Sequence, residues 1–131
     1  MNKWSLLLVL VIISPAFGAE WTQIGTSDSR DDYVDYEYLS NKKSKNNILK
    51  VWQLVDHKTI IANNAGTPVL STKFLVEINC SKREVRNTYI VVYSERMGKG
   101  TQLRAADPKM ESEPIIPDSL YDVFRKTGCP P

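Results

Sequence analysis

One histidine and two cysteines limit the reactive chemistry open to this chain of 131 residues. His57 directly follows Asp56, and neighbouring side chains on a strand point to opposite faces, so the two are poorly placed to act as base and orienting acid. A lone histidine also leaves a histidine-rich zinc site short of ligands, and His57 reads as an exposed or locally bonded residue. Asp28, Asp31, Asp32, Asp35 and Glu37 offer the clustered oxygens that hard cations use. They lack the dense Asp/Asn/Gly alternation and closing glutamate of a calcium loop, so a solvated turn and strand edge is expected. Met97-Gly98-Lys99-Gly100-Thr101 sets a lysine among glycines, whereas a phosphate cradle needs Gly-x-x-x-x-Gly-Lys-Ser/Thr before a helix. A mobile hairpin turn is the expectation there. No residue set assembles nucleophile, base and orienting group, and the chain reads as a non-enzyme without cofactor or metal.

What remains is binding chemistry. The basic residues fall into three groups: Lys42, Lys43, Lys45 and Lys50, then Lys82, Arg83 and Arg86, then Arg96, Lys99, Arg104 and Lys109. Where two groups converge, a local positive field can hold an acidic glycan or the acidic face of another protein. Where they do not, they are charged turns that keep sheet edges soluble and unpaired. The formal net charge is only +2, which argues against a nucleic-acid partner, since such domains are normally basic throughout. Trp21, Tyr33, Tyr36, Tyr38, Trp52, Tyr89, Tyr93 and Tyr121 supply large amphipathic surfaces, a residue class enriched at interface hot spots. Trp52 is expected in the core. Tyr33, Tyr36 and Tyr38 cannot all face inward on one regular strand, so at least one is expected outside. Lys42, Lys43, Lys45, Arg96, Lys99, Tyr36 and Tyr38 form the candidate binding set.

The chain start says where such a surface would work. Lys3 precedes an apolar run over residues 5–13 and the small-residue pattern Ala16-Phe17-Gly18, which marks residues 1–18 as a signal peptide. The run is shorter than the roughly 20 residues that span a bilayer, so no stable membrane insertion is expected. Residues 19–131 are expected to form a single soluble domain, periplasmic or secreted. Cys80 and Cys129 then meet an oxidising compartment, where a structural disulfide is the expectation. Their separation is unlike the Cys-x-x-Cys of a redox pair; free or intermolecular thiols are the other alternative.

Strand patterns are read at residues 21–25, 33–39, 48–57, 72–79 and 85–94, with a short strand at 101–105. The 33–39 run has no clean parity, whereas 48–57 is apolar on both faces, Trp52 and Leu54 on one and Val51 and Val55 on the other. That pattern predicts two covered faces and self-association as a homodimer. Phe74, Val76, Ile78 and Cys80 share one face of the 72–79 strand, and Val85, Tyr89, Val91 and Tyr93 share a parity on the next, giving the clearest antiparallel hairpin. Residues 58–70 read as a flexible excursion, opening with a few more strand residues at 59–62, and 95–113 as a long surface connection. Leu120, Val123, Phe124 and Thr127 recur at helical spacing after Ser119, a cap candidate, with Asp122 early and Arg125 and Lys126 late.

Together the Val51-Trp52-Gln53-Leu54-Val55-Asp56-His57-Lys58 strand, the Glu77-Ile78-Asn79-Cys80 strand end, the Met97-Gly98-Lys99-Gly100 turn and the Ile116-Pro117-Asp118-Ser119 entry to a helix ending at Gly128-Cys129 resemble the surface-adhesin protein E family of bacterial exported proteins. The resemblance runs from Trp21 to Cys129. It implies an α+β fold, an antiparallel sheet of about six strands with a C-terminal helix tied to it by a Cys80–Cys129 bridge, and dimerisation through the sheet. It also implies adhesion to host macromolecules. The adhesin that names the family is displayed as a lipoprotein, and here no cysteine lies near the leader to accept a lipid. The alternative is a periplasmic accessory or structural protein acting through homo-oligomer or envelope contacts.

Overall fold

Alternating apolar residues separated by short polar turns give a meander in which each strand pairs with the next. The structure is a computed structural model that describes residues 20–36, 39, 44–62 and 65–131. Six strands, β1 (Trp21–Thr26), β2 (Arg30–Asp35), β3 (Ile48–Ala62), β4 (Pro68–Asn79), β5 (Glu84–Tyr93) and β6 (Gln102–Ala106), lie side by side in chain order. All pairs are antiparallel, and a two-residue strand β7 (Glu113–Pro114) adds to β5. A 3-10 turn, Arg96–Gly98, links β5 to β6, and helix α1 (Leu120–Gly128) closes the chain.

Three strand expectations change. Tyr36 and Leu39 are helical rather than extended; the break in parity that left the 33–39 run without a buried face is resolved by ending β2 at Asp35, which lets Leu39 enter the core. β3 continues to Ala62, past a register shift between Asp56 and Ile61, as read for residues 59–62, because β-branched Thr59, Ile60 and Ile61 suit an extended strand. β4 opens at Pro68, ahead of the expected residue 72, so residues 68–70 are strand and not part of an excursion. In β5, a shift opposite Leu75 and Val76 makes Thr88 the extra residue of a bulge. Val85, opposite Ile78, therefore faces the helix, whereas Tyr89, Val91 and Tyr93 face the other way. Before β3, Lys45 and Ile48 exchange backbone hydrogen bonds of 3.1 and 3.0 Å around Asn46 and Asn47, with φ 55° and 61°. Asparagine tolerates this left-handed backbone, which a two-residue hairpin turn requires.

The core lies between α1 and one sheet face: Val34, Leu39, Leu49, Val51, Val76, Ile78, Val85 and Phe124 are buried together. Ser119 caps the helix, its Oγ accepting from the Asp122 N–H. Phe124 points inward, whereas Val123 is half exposed, so the buried stripe runs through Leu120, Tyr121 and Phe124 rather than through Val123. Gly128 is needed for close approach, since a Cβ there would stand 2.6 Å from Leu49 Cδ2. Cys129, next in the chain, is bonded to Cys80 across a Cα–Cα distance of 5.7 Å. No described helix is long and apolar enough to cross a membrane.

Candidate functional site

A nine-residue helix covers only one face of such a sheet, and the residues of opposite parity form a second face that carries no helix among the described residues, called the helix-free face below. Cross-strand pairing sets them in rows. Trp52, Leu75 and Tyr89 form one row, and Tyr33, Leu54, Lys73 and Val91 the next. Asp56, Ser71 and Tyr93 form the third, and Trp21 joins the same face opposite Asp35. Trp52 therefore lies outside the helix-side core, half-buried and edge-on to Tyr89 at 6.4 Å and 85°. Leu54, flanked by Tyr33 and Lys73, is fully buried.

Lys73 organises the centre. Its Nζ lies 5.0 Å from the Tyr93 ring centroid and 5.6 Å from that of Trp21, close enough for the ring quadrupoles to attract the ammonium. The Arg96–Gly98 turn folds back over one end of the face and is tied down there, which corrects the expectation of a mobile hairpin turn. Asp56 accepts from the Met97 N–H at 3.1 Å and from Arg96 at 3.4 Å; Ser71 Oγ accepts from the Gly98 N–H at 2.8 Å and donates to the Glu95 carbonyl at 2.6 Å. Gly98 has φ 67°, and a Cβ there would meet Lys73 Cε at 2.4 Å, so glycine lets the turn close on the lysine stem. Trp21, Asp35, Trp52, Lys73 and Tyr93 line a shallow cleft of about 220 Å³. Burial, then the neighbouring Tyr89, pushes the Tyr93 phenol above its ordinary value, and it stays a protonated donor at neutral pH.

The basic groups sit mostly at the two ends of this face. Lys45 stands beside the β4–β5 turn that carries Lys82 and Arg83, since the Cys80 N–H donates to the Asn47 carbonyl at 2.8 Å. Lys50, Glu77 and Arg86 form a row, in which Glu77 offsets Arg86 through a contact of 3.0 Å. Arg96 and Lys99 lie at the opposite end, beyond Asp56 and Ser71. Ile48 and Asp56 are eight residues apart on β3, so the ends are separated by about 26 Å. Arg104 pairs with Val92 on the helix side, and Lys109 shares a separate cleft with Glu77, Arg86 and Asp107. Tyr36 is half exposed, whereas Lys42, Lys43 and Tyr38 lie outside the described residues.

The remaining sequence candidates have local partners. His57 Nε2 lies 2.9 Å from Thr72 Oγ1, while Asp56 serves the Arg96 turn on the other face, so the two make no dyad. Burial, followed by the Arg30 charge, holds the imidazole below its ordinary value. Asp31 accepts from Thr26 Oγ1 at 2.6 Å and faces Lys58, and Asp32 accepts from Gln53 at 3.0 Å. Among the described residues no three His, Cys, Asp or Glu side chains gather as metal ligands. Trp21, Asp35, Trp52, Lys73 and Tyr93 are the site residues that sequence reasoning left out of the binding set. The signal was present: tyrosines of one parity on β5, Tyr89 and Tyr93, and a lysine on the wetter parity of β4 become neighbours once the hairpin forms.

The sequence pattern of the Surface-adhesin protein E family matches residues 21–130. This chain belongs to that family. The fold also matches solved structures of protein E from Haemophilus influenzae. One has TM-score 0.54 at 16% identity, covering 81% of this chain and 91% of the other; a second crystal form gives 0.53 at 16%, covering 81% and 94%. At that identity the likeness shows the adhesin fold alone. No curated protein matches the chain. The family match and the antiparallel sheet with its bridged C-terminal helix agree with the resemblance read from the sequence.

Proposed function

We propose that this chain is an exported, non-enzymatic binding module that holds a host or envelope macromolecule on the helix-free face of its sheet. The observation that carries the reading is the gathering of Trp21, Tyr33, Trp52, Tyr89 and Tyr93 around Lys73 on a face that no described helix covers. Aromatics with a fixed cation give large contact area at low conformational cost, the composition of binding hot spots. Membership of a surface-adhesin family supports the same class of function. Export rests on residues 1–18 acting as a signal peptide and leaving residues 19–131 as a soluble domain, periplasmic or secreted. The partner expected is an extracellular-matrix protein or an acidic glycan, reached through Lys45 or through Arg96 and Lys99 at the ends of the face. Lys42, Lys43, Tyr36 and Tyr38 complete the proposed set.

Immobilised laminin and heparin at low salt test the reading. Retention of the exported protein, weakened by Trp52→Ala or by Lys45→Glu with Lys99→Glu, is the expected result. Failure to bind either one, together with strictly periplasmic recovery, refutes adhesion. A second reading, an envelope accessory protein that pairs through this face as a homodimer, is favoured by the partly exposed Trp52 and Tyr89. Light scattering that reports a monomer at every concentration up to high micromolar removes it.

A further inference from the structure

The helix side of the sheet runs out of cover before it runs out of apolar side chains. One row across it passes from Val34 through Gln53 and Phe74 to Ile90 and Ala106, and the next from Val55 through Thr72 to Val92 and Arg104. Val34, Gln53, Val55 and Thr72 are buried and Phe74 packs against the core, whereas Ile90, Val92 and Ala106 are partly exposed and Arg104 is open. These last four, with Asp107 and Pro108, line a cleft of about 390 Å³, within the size range of small-ligand sites. We propose that the cleft binds a free medium-chain fatty acid, its acyl chain lying over Ile90, Val92, Ala106 and Pro108 and its carboxylate meeting Arg104. The site is on the face opposite the aromatic cluster and is separate from the macromolecular binding read there.

Charge selects the head group. Among the described residues Arg104 has no hydrogen-bond or ion-pair partner. Asp107, the one acid in the lining, accepts from the Lys109 N–H at 2.8 Å and shares a second cleft with that residue, so it has a partner outside this one. A guanidinium offers paired N–H donors that one carboxylate accepts together. A cation is repelled at Arg104, and a sugar would set its hydroxyls against Ile90, Val92, Ala106 and Pro108, which give them no partner and cost desolvation. A neutral hydrocarbon packs on the same floor but gains nothing from Arg104, whereas an apolar carboxylate uses both. Strand spacing sets the chain length: Arg104 to Pro108 is four positions, at most about 13 Å, the reach of an extended chain of about ten carbons. The turn that carries Pro108 is fixed before any ligand arrives, because the Asp107 bond holds Lys109 at φ 48°, and a preformed trough lowers the ordering cost of binding.

The test is a two-dimensional amide NMR titration of the exported protein with octanoate, decanoate and octanol. Decanoate should give saturable shifts at the amides of Ile90, Val92, Arg104 and Ala106, half-complete at or below about 1 mM, and should leave those of Trp21 and Trp52 in place. It should bind about fourfold more tightly than octanoate, the gain for two methylenes half-buried in an open trough. Octanol should bind about fivefold more weakly than octanoate, the upper end for an ion pair that stays open to water. Arg104→Met should remove that difference by weakening octanoate alone, Val92→Asp should abolish binding of both, and Trp52→Ala should change neither. Near-UV circular dichroism checks that the variants fold, and Arg104→Met carries the test if Val92→Asp does not. No saturable shift at these amides up to about 10 mM, equal affinity for octanol and octanoate, or octanoate binding that Arg104→Met leaves intact overturns the proposal. So does tighter binding of N-acetyl-leucyl-leucine than of decanoate, which would assign the cleft to a peptide terminus.

Discussion

Removing the Cys80–Cys129 bridge should cost more stability than any single packing change in this domain, and should do so from the helix end. The bridged residues are separated by 49 positions, and closing a loop of that length in the unfolded chain corresponds to about 4 kcal/mol in the chain-entropy model. On the native side, α1 has nine residues, shorter than the roughly 12–15 at which isolated helices become marginally stable. Its cap, the ion pairs of Asp122 and the burial of Phe124 hold it to the sheet, and Cys129 is the covalent point at its exit. The Cys80→Ala/Cys129→Ala variant is therefore expected to lose about 4 kcal/mol in urea unfolding, within the 2–5 kcal/mol seen when small secreted domains lose a native bridge. For a domain of this size that lowers Tm by about 15 °C. Hydrogen exchange resolves the order of events: amides of residues 123–129 should lose protection at denaturant concentrations where Val51 and Val76, buried in β3 and β4, remain protected. A loss below about 1 kcal/mol, or helix and sheet amides opening together, would refute the reasoning that the bridge secures a marginal helix.

Other perturbations test separate parts of the structure. Gly128→Ala forces a methyl to within 2.6 Å of buried Leu49 and should destabilise by about 1–3 kcal/mol through overpacking, read from the urea midpoint. Gly98→Ala meets both a left-handed φ of 67° and the Lys73 stem. It should cost at least about 1 kcal/mol and shift Trp21 and Trp52 fluorescence as Lys73 moves. The Asp118 backbone N–H, then Arg125 and Lys126, lower the Asp122 pKa to about 2. Because that lies below the unfolded value near 3.9, its stabilising contribution is complete above about pH 4 and is lost as pH falls toward 2. Far-UV circular dichroism should follow that loss in the wild type, and Asp122→Asn should flatten it.

The meander, the helix and the bridge were legible because each rests on a local pattern. Phe74, Val76, Ile78 and Cys80 alternate, Ser119 stands ahead of a helical stripe, and two cysteines leave one pairing. What was not legible depends on register. The bulge at Thr88 adds one residue and turns Tyr89, Val91 and Tyr93 to the face opposite Val85, and a one-residue slip exchanges the faces of everything beyond it. Trp52 was expected in the core for the same reason: on a strand apolar on both sides, parity alone does not say which side the helix takes. The Arg96–Gly98 turn looked mobile from its glycines, yet it is held by Asp56 and Ser71, which are distant in sequence and adjacent only across β3 and β4.

The separation of the basic ends leads to a prediction about how they act. About 26 Å of β3 lies between the Lys45 turn and the Arg96–Lys99 turn, more than three times the Debye length of about 8 Å at physiological salt. Each end should therefore attract an acidic ligand independently. A heparin tetrasaccharide is shorter than this span and can engage only one end at a time. Lys45→Glu and Lys99→Glu should then each weaken tetrasaccharide binding in part, with effects on free energy that add to within about 0.3–0.5 kcal/mol in the double variant. A long heparin chain can engage both ends, and its second contact forms at high effective concentration. Either single reversal should therefore cost long-chain retention several times more than it costs the tetrasaccharide. If one reversal alone abolishes tetrasaccharide binding, the two ends act as one site and the independence drawn from their spacing is wrong. If long and short probes respond alike, the aromatic face between the ends does not carry a spanning ligand.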